Sequence, residues 1–315
     1  MPIHSSTCIA RLVRVAPWTL LAVGVVAQVA EPPVPEGKVA ALQRILASTT
    51  RAAFRFATEL RSDSQFVRAT QGGKAKPVRT TGAQEAGCLY VVLPDDAGEV
   101  LRAGRRSLAR IKKGKWVRRF DLDAEGAPLP FLFEPEIFFP AVLDTDLEYL
   151  RAEVGTLDDR PVEILTAHAE GEHARALTWS GALPAGEQAM MGVFRIGGGR
   201  VVRPKAEQEV DLAFFVDPAS KRLLKIAMQL YSKAPGGAAG VFVAVGGAAQ
   251  EEEPEEPEVD EKAPLRFEHG LPVRSRRIAD GWLKVTFEVT FTEHDVARID
   301  ALDGAASAAL GLGAK

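Results

Sequence analysis

Alternation of apolar and polar residues predicts that much of this chain forms β-strands. The clearest example is close to the C-terminus, where every second residue from Leu283 to Phe291 is apolar and the residues between are polar or charged. Successive side chains of a strand point to opposite faces, so this strand is expected to have one buried face and one face in water.

Three other segments give a similar signal. Residues 210–216 and 223–230 both alternate, and the turn at 217–221 between them, Asp-Pro-Ala-Ser-Lys, predicts a hairpin. Near the N-terminus, Phe54 and Phe56 open a further alternating strand. Together these segments predict an antiparallel sheet with an aromatic face.

The helices predicted from the sequence are few and short. Apolar residues recur at helical spacing over residues 38–46, which predicts one amphipathic helix. Thr292 followed by Asp295 is typical of a capping box and predicts a short terminal helix. Residues 304–315 are expected to form a flexible tail.

The middle of the chain is expected to be a meander of short strands. Residues 70–85 are rich in Gly, Lys and Thr and lack an apolar period, so they are expected to be an exposed loop. Strands are predicted at 88–93, 107–112 and 115–120. A turn at Glu170-Gly171 is expected to continue the series of hairpins.

Residues 128–142 are rich in both proline and phenylalanine, with the sequence PLPFLFEPEIFFPAV. Proline interrupts strands and long helices, so neither is expected here. The phenylalanines are either a plug at one end of the core or a lid over it. The sequence alone leaves both interpretations open.

The first 30 residues have the layout of a secretory signal peptide. Two arginines precede an apolar run over residues 18–26, and small residues follow, so cleavage is expected near Ala27 or Ala30. The run is shorter than the roughly 20 residues that span a bilayer. A periplasmic or secreted protein is therefore expected, with a retained anchor as the alternative.

Charge and cysteine content narrow the range of functions that the sequence allows. A formal net charge of -3 argues against binding to nucleic acid, which needs a surplus of basic residues. Cleavage of the signal peptide would leave Cys88 as the sole cysteine, so no internal disulfide is expected. Residues 234–263 include a run of acidic residues and are expected to form a disordered insert.

No motif in the sequence predicts catalysis. Serine-hydrolase elbows, phosphate-binding loops, zinc-protease signatures and Cys-x-x-Cys pairs are all absent from the sequence. His168 and His173 could face each other across a four-residue turn, with Glu170 or Glu172 as a third metal ligand. Exposed histidines are common at turns, so we expect no metal, no cofactor and no enzyme. This pair defines one rival hypothesis, a metal-dependent hydrolase.

The order of the elements resembles the periplasmic lipoprotein-carrier superfamily, which includes LolA, LppX and LprG. The resemblance covers roughly residues 38–302. It consists of a helix leading into an aromatic strand, a Gly114-Lys115-Trp116 hairpin, the segment FFVDPASKRLLKIAMQL, and a closing strand LKVTFEVTFTEHD.

This resemblance implies an α+β fold in a single domain over residues 31–303. Its curved antiparallel sheet would be an unclosed β-barrel, with a few short helices or loops covering the concave face. A lipid or acylated protein would bind to that face, and the protein would be a monomer. The expected ligand-binding residues are Phe54, Phe56, Phe131, Phe133, Phe214, Leu283, Val285 and Phe287.

The second rival hypothesis is a module for protein interaction or envelope scaffolding, built on the same sheet with a filled core. An open apolar cavity of several hundred Å³, typical of sites for small molecules, would distinguish the carrier from this module. Whether the carrier also has an envelope protein as a partner is left open by the sequence.

Overall fold

An antiparallel sheet of eleven strands dominates the computed structural model. The structure describes residues 34–63, 77–94, 98–111, 114–118, 132–180, 207–233, 266–273, 283–299 and 304–312. All of these residues belong to one unit, Pro32–Lys315.

The strands are β1 (Phe54–Asp63), β2 (Val78–Glu85), β3 (Cys88–Val92), β4 (Gly98–Ala103), β5 (Arg106–Ile111), β6 (Val117–Arg118), β7 (Glu148–Leu157), β8 (Arg160–Glu170), β9 (Glu207–Val216), β10 (Leu223–Lys233), β11 (Phe267–Glu268), β12 (Leu271–Pro272) and β13 (Leu283–Thr292). The helices are α1 (Glu36–Thr49), α2 (Pro135–Asp144), α3 (Gly171–Trp179) and α4 (Gly304–Leu310).

The order of strands in the large sheet is β6-β5-β4-β3-β2-β1-β13-β10-β9-β8-β7, and β11 pairs with β12 in a separate hairpin. The first and last long strands, β1 and β13, are neighbours near its centre. The two edges, β6 and β7, do not pair with each other within the described ranges. The expected α+β fold with an unclosed antiparallel sheet is therefore confirmed.

One face of the sheet, which we call the helix face, carries Phe56 and is covered by α1, α2 and α3. Helix α1 forms because Leu42, Ile45 and Leu46 recur at helical spacing and bury one side against this face. The predicted helix over 38–46 is thus confirmed and is slightly longer at both ends. The large apolar core lies between these helices and the sheet.

The opposite face, which we call the outer face, is covered at two places. Helix α4 buries Ala306 and Leu310 against β2 to β5, beside the buried thiol of Cys88. The β11–β12 hairpin covers β8, β9 and β10, and Thr166 Oγ1 donates a hydrogen bond to the carbonyl of Gly270 at 2.6 Å. The outer face of β13 carries only polar residues, as its alternation predicts.

Strand β2 corrects the expectation of an exposed loop over residues 70–85 for the part from 78 to 85, and residues 70–76 lie outside the described residues. After Val78, its residues facing the core are small or polar, so the sequence shows no apolar period. The hydroxyl groups of Thr80 and of Thr58 on β1 form a hydrogen bond of 2.6 Å. Gly82 leaves room for the ring of Phe56. Strand β4 was likewise not predicted.

Two other predictions of secondary structure are wrong. The turn at Glu170-Gly171 leads into helix α3, because Ala174 and Leu177 pack into the helix-face core at helical spacing. The terminal helix does not begin after Thr292, where turns follow instead. It is α4, within the expected tail, and its apolar residues pack on the outer face.

The contact between Phe56 and Gly82 gives a test of this packing. A Cβ at residue 82 would collide with the Phe56 ring and with the carbonyl of Tyr90. We expect Gly82→Ala to lower the free energy of unfolding by about 1–3 kcal/mol, as overpacking does in cores. Gly37→Ala on α1, where an added Cβ meets nothing within 4 Å, is the control. Equal urea midpoints for the two variants would contradict the described packing.

Candidate ligand-binding face

A cluster of phenylalanine rings occupies the middle of the helix face. Phe133 lies at its centre and is fully buried. Ring centroids between 5.4 and 6.2 Å from that of Phe133 belong to Phe56, Phe138, Phe139, Phe287 and Phe291. Three of these five pairs are edge-to-face, a favourable arrangement for aromatic rings, and the other two are tilted.

Phe133 does not belong to the sheet. It lies on residues 132–144, which we call the lid segment, and this segment consists of an extended start followed by α2. Helix α2 begins with Pro135, which is tolerated in a first turn, and contains Pro140. It buries Phe138, Phe139 and Val142 and packs against α1 and α3. The Phe-rich region therefore forms a short helix with breakers, consistent with the expectation of no long helix.

An ion pair joins the lid segment to the sheet. The guanidinium of Arg102, on the helix face of β4, contacts the carboxylate of Glu134, which directly precedes α2. The side chains are only 24% and 11% exposed, so solvent screens this pair less than a surface pair. Sequence reasoning did not identify this pair, because 32 residues separate its members and only the fold brings them together.

Six of the eight expected ligand-binding residues are buried on the helix face. They are Phe54, Phe56, Phe133, Phe214, Val285 and Phe287. Phe131 and the side chain of Leu283 lie outside the described residues. Phe291 completes the aromatic cluster although it was not among the expected residues. The alternation of β13 already placed it on the same face.

The described part of the helix face is packed with side chains. Two shallow pockets among the described residues have volumes of about 220 and 380 Å³, and polar or charged residues predominate in both linings. Neither pocket includes a residue of the lid segment. The lid segment thus covers the part of the helix face that carries Phe56 and Phe287.

His168 and His173 line the smaller pocket together with Asp146, Glu148 and Glu170. They do not face each other across a hairpin. His168 is buried at the end of β8, with Nδ1 2.8 Å from Oδ1 of the buried Asp211, whereas His173 is exposed in the first turn of α3. Within the described ranges, no three His, Cys, Asp or Glu side chains are placed to hold a metal ion.

His294 lines the larger pocket, just beyond β13. Burial lowers the pKa of its imidazole, and the charge of Arg222 lowers it further. Asp295 and a hydrogen bond to the backbone of Leu223 act in the opposite direction. Its Nε2 is buried and has no hydrogen-bond partner. The fold therefore favours the neutral ring.

This shift predicts a pH dependence of stability. The unfolded chain has the ordinary histidine pKa of about 6.5. The folded pKa is lower, so the stabilisation is present above pH 6.5 and is lost as the pH falls through the folded value. We expect the free energy of unfolding of the native protein, relative to that of His294→Gln, to be smaller at pH 5 than at pH 7.5. A constant difference in urea titrations would contradict the shift.

Solved structures similar to this chain include two mycobacterial lipoproteins. LprF from Mycobacterium bovis has a TM-score of 0.39 at 10% identity, with 85% of this chain and 96% of LprF covered. The lipoprotein LppX from Mycobacterium tuberculosis has a TM-score of 0.37 at 8% identity, with 84% of this chain and 99% of LppX covered. No family model matches the chain, and no curated protein matches it. Among the described residues, no helix is long and apolar enough to cross a membrane.

Proposed function

We propose that this protein is a non-enzymatic binding protein that works outside the cytoplasm and carries a lipid or an acylated protein. The acyl chain binds on the helix face, in the place that the lid segment occupies in the described state. The observation that carries this proposal is the position of Phe133. The residue at the centre of the apolar face lies on a segment outside the sheet, so movement of that segment would expose the phenylalanines of β1 and β13 while α1 and α3 stay in place.

The energies of this exchange are compatible with binding. Removing a buried phenylalanine side chain from a core costs about 3–5 kcal/mol. Burial of an acyl chain from water contributes roughly 0.8 kcal/mol per CH₂, so about eight buried methylenes contribute roughly 6 kcal/mol. Because the lid segment also buries Phe138 and Phe139, displacing the whole segment costs about 9–15 kcal/mol, which roughly 12–19 buried methylenes, from one long acyl chain or two short ones, would offset. The sheet can stay in place, because its strands are paired independently of the lid segment.

The Arg102–Glu134 pair is the contact that would have to break when the lid segment moves. Breaking a partly buried pair costs more than breaking a surface pair, because one charge can remain in a poorly solvated place. The pair therefore favours the state in which the lid segment covers the helix face. It would also make lid movement sensitive to substitution of a single residue.

An extracytoplasmic location is part of the proposal and rests on the signal-peptide layout of residues 1–30. The cysteine that would remain after cleavage, Cys88, is buried on the outer face. A buried thiol is shielded from the oxidising chemistry of that compartment. The proposal assigns no chemical step to any residue.

The filled helix face favours a second candidate function, a protein-interaction or scaffold module that binds no lipid. In this candidate the lid segment is a permanent part of the core. The long edge strand β7 would offer backbone hydrogen-bonding groups to a partner, since it pairs only with β8 among the described strands. Such a module would not take up lipid under any condition that leaves it folded.

Substitution of Arg102 tests the carrier proposal. We expect Arg102→Gln to increase the rate of uptake of a fluorescent fatty acid from vesicles by up to about ten-fold, which corresponds to a loss of about 1.4 kcal/mol from the covered state. Arg110→Gln is a matched control. Arg110 pairs with Glu99 at similar exposure, but on the outer face.

Equal uptake rates for Arg102→Gln and Arg110→Gln would argue against lid movement as the limiting step. No uptake by the native protein or by either variant, with all three folded by circular dichroism, would favour the interaction module.

A further inference from the structure

The larger pocket, of about 380 Å³, lies where three separate segments meet. These segments are the end of α1, the turn between β9 and β10, and the residues that follow β13. Its lining consists of Ser48, Thr49, Arg51, Ala52, Ser220, Lys221, Arg222, Leu223, His294 and Asp295. We call it the basic pocket, because its lining includes two arginines and a lysine.

The positive charges of the basic pocket are only partly neutralised. Arg222 pairs with Asp295, the one carboxylate in the lining, with Nη2 2.5 Å from Oδ2. Arg51 and Lys221 have no side-chain partner among the residues that the structure describes. The carboxylate of Asp217, nearby in the β9–β10 turn, accepts hydrogen bonds from Ser220 Oγ and from the backbone of Ala219. The lining as a whole therefore has a positive charge.

The backbone carbonyls at the end of α1 already accept hydrogen bonds from the protein. The carbonyls of Ser48 and Thr49 accept from the backbone N–H groups of Arg51 and Ala52, both at 3.2 Å. Nε2 of Gln84 donates to the carbonyls of Thr50 and Ala52, at 2.8 and 3.0 Å. The pocket therefore offers cations and few free acceptors, which suits an anion rather than a metal cation.

His294 adds a further potential donor to the same pocket. Its buried Nε2 has no partner, and its Nδ1 side is occupied by the backbone hydrogen bond to Leu223. The charged groups around the ring are Arg51, Lys221, Arg222 and Asp295. An anion bound among these groups would favour protonation of the ring. Nε2 would then donate to the anion.

The basic pocket adjoins the helix face. Leu223 and Ala52 line the pocket and also pack with the helix-face core. The ring of Phe54, at the start of β1, lies 6.5 Å from that of His294. A molecule with an anionic group in the pocket could therefore extend an apolar chain onto the helix face.

We propose that the basic pocket binds an oxyanion of the phosphate class through Arg51, Lys221 and Arg222. This step rests on the proposed carrier function, in which that oxyanion is the headgroup of the bound amphiphile. The ligand class would then be anionic lipids rather than neutral ones. A free phosphate has the same oxygens as a phosphate headgroup and could bind in the same way. Titration with each compound distinguishes the lipid from free phosphate.

The test is isothermal titration of the protein with phosphatidic acid, with diacylglycerol of the same acyl chains, and with inorganic phosphate. In the double variant Arg51→Gln/Lys221→Gln, we expect the Kd for phosphatidic acid to rise about ten-fold or more, as charge-assisted hydrogen bonds are lost. Its Kd for diacylglycerol is expected to stay unchanged. The matched control is Arg44→Gln/Arg105→Gln, which removes two exposed arginines away from the pocket.

Each outcome separates the pocket from the carrier function. If the double variant binds phosphatidic acid as tightly as the native protein, the basic pocket is not the headgroup site, although lipid binding itself still supports the carrier. A third result is that neither lipid binds but inorganic phosphate does. If phosphate binding is then lost in the double variant and kept in the control variant, the anion site stands and the carrier function fails. If no phosphate compound binds the native protein, the anion site is overturned.

Discussion

The packing of Phe133 against five other phenylalanine rings holds the lid segment on the sheet, and the arrangement of the helix face depends on it. The pairing of β1 with β13 places Phe56 directly opposite Phe291, so that both rings reach Phe133. Gly82 on β2 makes room for Phe56. The apolar core of this sheet is therefore completed by a segment that contributes no strand. That property makes a binding function physically reasonable without an open cavity.

Much of the fold follows from the sequence because alternation survives wherever a strand has one apolar face. The closing strand β13 is of this kind. The β9–β10 hairpin follows from its turn and the alternation around it, although β9 is buried on both faces, and α1 follows from its helical spacing. Strand β2 lacks this alternation because Thr80 and Gly82 lie on its core side, and the ring of Phe56 occupies the space beside Gly82. Helix α3 fails for a different reason. Its glycine suggested a turn, whereas burial of Ala174 and Leu177 determines the structure.

The candidate site could be predicted only in part. The phenylalanines of β1 and β13 follow from their period, and their shared face follows because burial selects the register that puts both apolar sets on one side. The basic pocket could not be predicted, since Arg51, Lys221 and His294 are far apart in sequence and meet only because β1, β13 and β10 are neighbours. The rival hypothesis of a metal site between His168 and His173 needed the two side chains to face each other, whereas His168 lies against Asp211, a partner on β9 that the local sequence does not reveal.

The most direct test of the account is photo-crosslinking with a fatty acid that carries a diazirine on its chain, followed by mass spectrometry of the labelled peptides. The account predicts labels on the helix face of β1 and β13, close to Phe56, Phe287 and Phe291, and on the lid segment. Labels confined to outer-face residues such as Ile164 or Leu108, or no label above that of a denatured control, would contradict it.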